Sequence, residues 1–112
     1  MPLINVRLSN HQIDDEGNFL KSLSALISSL TGKPEAYVMV SIQSDTKMMF
    51  AGIEGKCCFV EVKSIGSLNP PAMSSQICSL INEMTGINKD RIYISFADIP
   101  AKDWGFNGST FG

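Results

Sequence analysis

Thr31-Gly32-Lys33-Pro34-Glu35-Ala36-Tyr37-Val38-Met39-Val40-Ser41-Ile42 falls without a gap on Thr85-Gly86-Ile87-Asn88-Lys89-Asp90-Arg91-Ile92-Tyr93-Ile94-Ser95-Phe96 when the chain is slid along itself by 54 residues. Each shared Thr-Gly reads as a helix end, because Gly32 and Gly86 stand where a left-handed residue just past the last turn is wanted. Upstream, Leu23, Leu26, Ile27 and Leu30 fall on Ile77, Leu80, Ile81 and Met84, the i, i+3, i+4, i+7 spacing of one buried helical face. At the same offset Leu3 to Leu8 falls on Cys57 to Val62. Each repeat, 3–42 and 57–96, therefore reads strand, helix, strand, and a crossover of this length predicts two parallel strands joined right-handedly.

Two such units predict one α+β domain over residues 1–112: a four-stranded mixed sheet with both helices on one face. Val38-Met39-Val40-Ser41-Ile42 is apolar at nearly every position, the pattern of a strand covered on both sides. The tail beyond Asp98 carries Trp104-Gly105-Phe106 and Thr110-Phe111 on a glycine-rich strand or loop. An apolar sheet face and an aromatic tail predict association with other copies of the chain. A domain of 112 residues has a modest core and gains from such association.

Composition excludes several functions. The net charge of −2, with no basic cluster, argues against a nucleic-acid surface. No apolar run is long enough for a membrane span and no signal-peptide pattern opens the chain, so a cytosolic address is expected. Cys57, Cys58 and Cys78 are an odd count with two adjacent, which is not a disulfide framework. The lone His11 has no ligand-spaced partner and reads as a solvated surface residue, so no metal site is expected.

Pro2 is the residue that points to chemistry. Removal of Met1, usual before so small a residue, leaves a proline whose ring nitrogen is a free secondary amine. An α-amino group has a pKa of about 8, and burial or a nearby cation lowers it toward neutrality, where a general base works best. The strand-like Leu3 to Leu8 would hold that nitrogen at the end of a rigid element.

Pro2 opening a strand, Thr31-Gly32-Lys33-Pro34, Ser64-Ile65-Gly66, Asp90-Arg91-Ile92-Tyr93-Ile94 and the ending Gly105-Phe106-Asn107-Gly108-Ser109-Thr110-Phe111 together resemble the family of macrophage migration inhibitory factor and its D-dopachrome tautomerase relatives. The resemblance runs from Pro2 to Gly112. It implies a tautomerase fold, a homotrimer around a central channel, and a pocket at each subunit boundary. The implied reaction is keto–enol tautomerisation of an aromatic 2-oxo acid such as phenylpyruvate or hydroxyphenylpyruvate, with dopachrome isomerisation as a second activity. Pro2 would take the proton beside the ketone and return one, which calls for no cofactor. Lys33 matches the family lysine that supplies positive charge to the enolate or the substrate carboxylate; as a cation at a helix end it also complements the macrodipole. In the Ser64-Ile65 segment, Ile65 matches a position whose backbone N–H binds that carboxylate.

Tyr37, Tyr93, Phe106 and Phe111 match aromatic positions around the substrate ring. Mammalian relatives have tryptophan where Phe106 stands, while Trp104 lies two residues earlier, and Ser95 replaces an asparagine. The thiol–disulfide activity attributed to the mammalian factor needs a Cys-x-x-Cys pair; here Cys57 matches the first member and Val60 occupies the second, so that activity is not expected. The family is exported without a signal peptide, and the alternative function is a cytokine-like signalling protein with vestigial catalysis, its receptor not legible in the sequence.

Overall fold

The computed structural model describes residues 1–9 and 13–112; the expectation for His11 lies outside the described residues. The chain folds as β1 (Leu3–Ser9), α1 (Glu16–Thr31), a 3₁₀ turn at Glu35–Tyr37, β2 (Met39–Thr46), β3 (Cys58–Ser64), α2 (Pro70–Thr85), a 3₁₀ turn at Lys89–Arg91, β4 (Ile92–Asp98), a 3₁₀ turn at Ala101–Asp103, and the short β5 (Gly105–Phe106) and β6 (Ser109–Thr110). The four long strands order as β2-β1-β3-β4. β1 pairs parallel with β2, β3 pairs parallel with β4, and β1 meets β3 antiparallel at the centre. This is the mixed sheet that two parallel βαβ units require.

Alternation decides which side of the sheet the helices cover. Ile4, Val6 and Leu8 of β1 and Cys58, Val60 and Val62 of β3 are buried against Phe19, Leu23 and Ile27 of α1 and Met73, Ile77 and Ile81 of α2. Leu26, Leu30, Leu80 and Met84, the other residues of the two helical stripes, flank this core half-buried. Each helix starts differently. The Asp15 carboxylate accepts from Asn18 N–H at 2.9 Å, whereas α2 opens on Pro70 and Pro71 after Asn69, whose side chain makes no capping bond; proline at the first helical positions costs nothing because those N–H groups lack partners anyway.

Both helices end in the same knot. The Thr31 hydroxyl donates to Ile27 O at 2.7 Å and accepts from Lys33 N–H at 3.3 Å; the Thr85 hydroxyl donates to Ile81 O at 2.6 Å and accepts from Ile87 N–H at 3.2 Å. Gly32 and Gly86 sit at φ 70° and 76° and close the last turn through N–H bonds to Ser28 O and Asn82 O. The left-handed residue thus sends the chain back toward a strand while its N–H satisfies a helix-end carbonyl and the threonine hydroxyl takes up the N–H two residues on.

The other face of the sheet corrects one expectation. β2 is not apolar on both sides: Met39, Ser41, Gln43 and Asp45 are exposed while Val40 and Ile42 are half-buried. With Asn5, Arg7, Glu61, Lys63 and Ser95 in the matching registers, the open face is polar along its middle and Ser41 donates to Asn5. Met39 is a lone outward apolar residue that made an alternating strand read as continuous. Exposed apolar area instead gathers at the margins, in Tyr37, Met39, Met49, Ile53, Tyr93 and Phe106. The tail does not join this sheet. It forms its own hairpin, β5 with β6, turning at Asn107 and Gly108 with φ 52° and 82°, the two positive values that a tight hairpin turn demands.

No helix among the described residues is long and apolar enough to cross a membrane. Burial, with Cys57 and Cys78 nearby, pushes the Cys58 thiol up to about 12, so at neutral pH it is a packing group and not a nucleophile.

The helix ends generate a paired prediction. An added Cβ at Gly32 meets nothing within 4 Å, so its cost is the left-handed backbone alone, and Gly32→Ala is expected to lose about 1 kcal/mol of stability. Gly17→Ala in the first turn of α1, where the new Cβ would sit 3.6 Å from Asp15 Oδ1 in ordinary contact, is expected to be neutral or stabilising by up to about 0.5 kcal/mol. Urea unfolding of the two variants measures this, and equal shifts would contradict the account.

Candidate functional site

The register puts the residues in place. One step before the pairing of Leu3 with Met39 and with Lys63 begins, Pro2 stands between Val38 and Ser64, and Ser64 in turn pairs with Asp98. Pro2 is buried, and its carbonyl accepts from Met39 N–H at 3.0 Å, which ties the chain start to β2. Its nitrogen is bonded to Met1 here and so is an amide. The Met1 amine marks where charge is felt: burial, then the Lys33 ammonium, lowers it below its ordinary value.

The backbone of Lys33 is held at both its carbonyl and its N–H, just past the glycine that closes the helix. Gly32 N–H donates to Ser28 O at 2.9 Å, the Ser28 hydroxyl donates to Lys33 O at 2.6 Å, and Lys33 N–H donates to Thr31 Oγ1. The side chain is half-buried, and α1 has no basic residue of its own in its last turn, so one lysine serves both the helix end and the chain start. Pro34 then opens the 3₁₀ turn that carries Tyr37, 48 % exposed, directly ahead of Val38.

Ser64 and Ile65 follow on the other flank. The Ser64 hydroxyl is wholly buried and has no hydrogen-bond partner, so this residue faces solvent with nothing of its side chain. Its carbonyl accepts from Ile99 N–H at 2.9 Å, and Gly66 N–H donates to the Asp98 carboxylate at 2.9 Å. Those two bonds fix the turn in which Ile65 lies half-buried beside the Pro2 row. The chain leaves β4 at this same end. Trp104 is half-buried and accepts from Phe111 N–H at 3.2 Å, while Phe106 and Phe111 stack with centroids 5.6 Å apart and planes 9° from parallel.

Two expected site residues are elsewhere. Tyr93 pairs with Phe59, in the row of Arg7, and Ser95 pairs with Glu61, in the row of Asn5. Tyr93 is thus five residues from the Pro2 row, about 17 Å at about 3.3 Å per residue, and two strands to the side. Within one chain neither reaches Pro2. Tyr93 instead leans on Phe50, with ring centroids 4.7 Å apart at 61°.

The segment between β2 and β3 escaped the sequence reading altogether. Phe50 and Ile53 bridge each other around Ala51 and Gly52, both at positive φ, 56° and 72°; the signal was weak because alanine is a poor marker of such a turn. A hollow of about 570 Å3 lies beside it, lined by Ser9, Thr46, Lys47, Glu54 and Lys56 among others; it is at the far end of β1 from Pro2. Among the described residues no group of three or more His, Cys, Asp or Glu could hold a metal ion.

Comparison with known proteins agrees with this geometry. The macrophage migration inhibitory factor family matches residues 1–112. The chain is 36 % identical to a macrophage migration inhibitory factor homologue of Brugia malayi, with both proteins covered in full, and 32 % identical to the rat factor, with 99 % of each covered. Among solved structures, the homologue from Prochlorococcus marinus superposes with a TM-score of 0.94 at 46 % identity, covering 98 % of this chain and 99 % of that one. The factor from Trichinella spiralis gives 0.91 at 33 %, covering 97 % and 99 %. The chain, with its two helices on a four-stranded mixed sheet and its buried Pro2, belongs to the macrophage migration inhibitory factor family.

Proposed function

We propose that the protein is a cofactor-independent isomerase that interconverts the keto and enol forms of aromatic 2-oxo acids, phenylpyruvate or hydroxyphenylpyruvate, with dopachrome as a second substrate, using the Pro2 amine freed by loss of Met1. The observation that carries this reading is the pairing of a buried chain start with Lys33: burial and the lysine charge already lower the Met1 amine, and both influences act on the Pro2 amine when it becomes the terminus. A secondary amine neutral near physiological pH can remove the proton from the carbon beside the ketone. The resulting ammonium gives that proton to the enolate oxygen, forming the enol, and in the reverse direction the amine takes the enol O–H proton and returns one to carbon, so protons balance without an added reagent. Lys33 and the Ile65 N–H hold the carboxylate and developing enolate, where donors aimed at growing negative charge are most effective.

The working unit in this reading is a homotrimer. Tyr93 and Ser95 stand too far from Pro2 to serve their own chain's site, so a neighbouring copy supplies them. The exposed apolar margin, from Met49 and Ile53 to Tyr93, is the surface that would bury against it. Tyr37, Trp104, Phe106 and Phe111 then furnish flat apolar walls for an aromatic guest. The polar open face suits three sheets arranged around water.

Sedimentation equilibrium is expected to give three times the chain mass of 12.2 kDa; a monomer at micromolar concentration would leave Tyr93 without a site to serve. Material beginning at Pro2 is expected to tautomerise phenylpyruvate, and Pro2→Gly or retained Met1 to lower the rate by roughly two orders of magnitude with the trimer intact. Full activity in a sample shown by mass to retain Met1 would refute the proline mechanism.

The pH dependence has a definite sign. The neutral amine is the active form, so the rate falls as pH drops through the amine pKa. Lys33 lowers that pKa, so Lys33→Ala is expected to move the acid limb of kcat/KM to higher pH and also to raise KM, because an anchor for the carboxylate is gone. An unshifted acid limb with parental KM would return Lys33 to the helix end alone.

A further inference from the structure

The Arg91 guanidinium spends its donors on a single segment. Its Nε donates to Lys56 O at 2.9 Å, Nη2 to Ile53 O at 2.9 Å and Nη1 to Phe50 O at 3.3 Å. Its central carbon lies 5.4 Å from the centroid of the Phe50 ring, within cation–π range. Among the described residues the one ion pair is Lys102 with Asp103, so this cation is committed to neutral carbonyls. Three diverging carbonyls match the planar fork of arginine and no other side chain.

What it holds needs holding. The segment between Phe50 and Lys56 bends through Ala51 at φ 56°, Gly52 at 72° and Gly55 at 135°, and a left-handed alanine is unfavourable on its own. Met49 and Ile53 are 60 % exposed, so the core does not anchor it. The clamped segment presents Phe50, and the Phe50 ring abuts one side of Tyr93. Tyr93 is itself 65 % exposed, leaving its remaining surface turned outward.

We propose that Arg91 is a positioning residue for substrate binding: by locking residues 50–56 it seats Phe50 against Tyr93 and presents the tyrosine ring, in one orientation, to the pocket of a neighbouring copy. The proposal rests on the reading of Tyr93 as a pocket wall. Pre-ordering a contact residue lowers the cost of binding and leaves the proton transfer at Pro2 untouched. The effect therefore falls on KM and spares kcat.

The test uses the assembled protein with 3-fluorotyrosine at its two tyrosines, Tyr37 and Tyr93, the fluorine signals being assigned with Tyr37→Phe. Arg91→Met is expected to shift and broaden the Tyr93 signal, to leave that of Tyr37 in place, and to raise KM for phenylpyruvate about fivefold with kcat within about twofold of the parent. Arg91→Lys, which keeps the charge and loses the fork, is expected to move both readouts in the same direction by less, and it serves if the methionine variant fails to fold. An unmoved Tyr93 signal or a parental KM in the folded Arg91 variants overturns the proposal, as does a loss of kcat that tracks loss of assembly. Tyr93→Ala separates the two levels. A raised KM there beside a parental KM in the Arg91 variants removes the clamp and keeps the wall, whereas a parental KM in Tyr93→Ala removes the wall and the proposal with it.

Discussion

The threonine hydroxyl at each helix end is the interaction on which the architecture turns. A helix must leave its last carbonyls unpaired, and a parallel βαβ unit must then reverse the chain within a few residues. At each end the glycine N–H takes up one of those carbonyls, Ser28 O or Asn82 O, while Thr31 and Thr85 fix the reversal, donating back to Ile27 O or Ile81 O, which the helix already pairs, and accepting from the N–H two residues on. Both threonines are buried, so a residue without the hydroxyl would leave the N–H of Lys33 or Ile87 without its partner. The position of everything downstream, from Lys33 and Tyr37 to the start of β2 beside Pro2, follows from that reversal.

Having built two nearly identical frames, the chain differentiates them at the same places. Where the first half has Lys33, half-buried and close to the chain start, the second has Ile87, fully buried in the core. Where the first has Tyr37, exposed ahead of β2, the second has Arg91, turned onto the segment 50–56. Pro2, free of any preceding strand, has as its counterpart Lys56, whose carbonyl Arg91 holds. One end of the duplicated frame is thus open and charged and the equivalent end is closed by a clamped loop. The symmetry makes the fold, and its violations gather at the candidate site.

That division explains what the sequence disclosed. The sheet, the helix faces and the left-handed glycines were legible because they repeat, and a pattern present twice outweighs local ambiguity. At the chain start the sequence singled out Pro2 and Lys33 because those residue types carry their own chemistry, and the Lys33 charge is felt at that end of the chain. The polar open face was misread because Met39 interrupts the alternation of Val38, Val40 and Ile42 with an apolar side chain that points outward. The loop clamp was illegible because it joins residues more than 30 positions apart through backbone carbonyls, which no side-chain pattern encodes. The tail hairpin had a plain marker in Asn107-Gly108, which the reading of the tail as a glycine-rich strand or loop left without a turn.

The juxtaposition of two amines at the chain start has a consequence for the proposed chemistry. In the proposed reaction, the Lys33 charge that lowers the Met1 amine would favour a neutral Pro2 amine in the free protein, keeping the base ready but also weak. Arrival of an anionic substrate changes this balance. On the proposed reading, a carboxylate seated on Lys33 would offset the charge that depresses the amine, so the proton affinity of Pro2 would rise when the substrate is in place to give up its proton. The ammonium formed in that proposed step would lie near the carboxylate and the developing enolate, both negative, and would be stabilised by them until it gives up the proton. A lysine bound only to water at a helix end would lower the amine equally in free and occupied protein. The proposed coupling requires Lys33 to serve both the amine and the carboxylate, and the bonds to Ser28 and Thr31 fix the backbone from which its side chain extends.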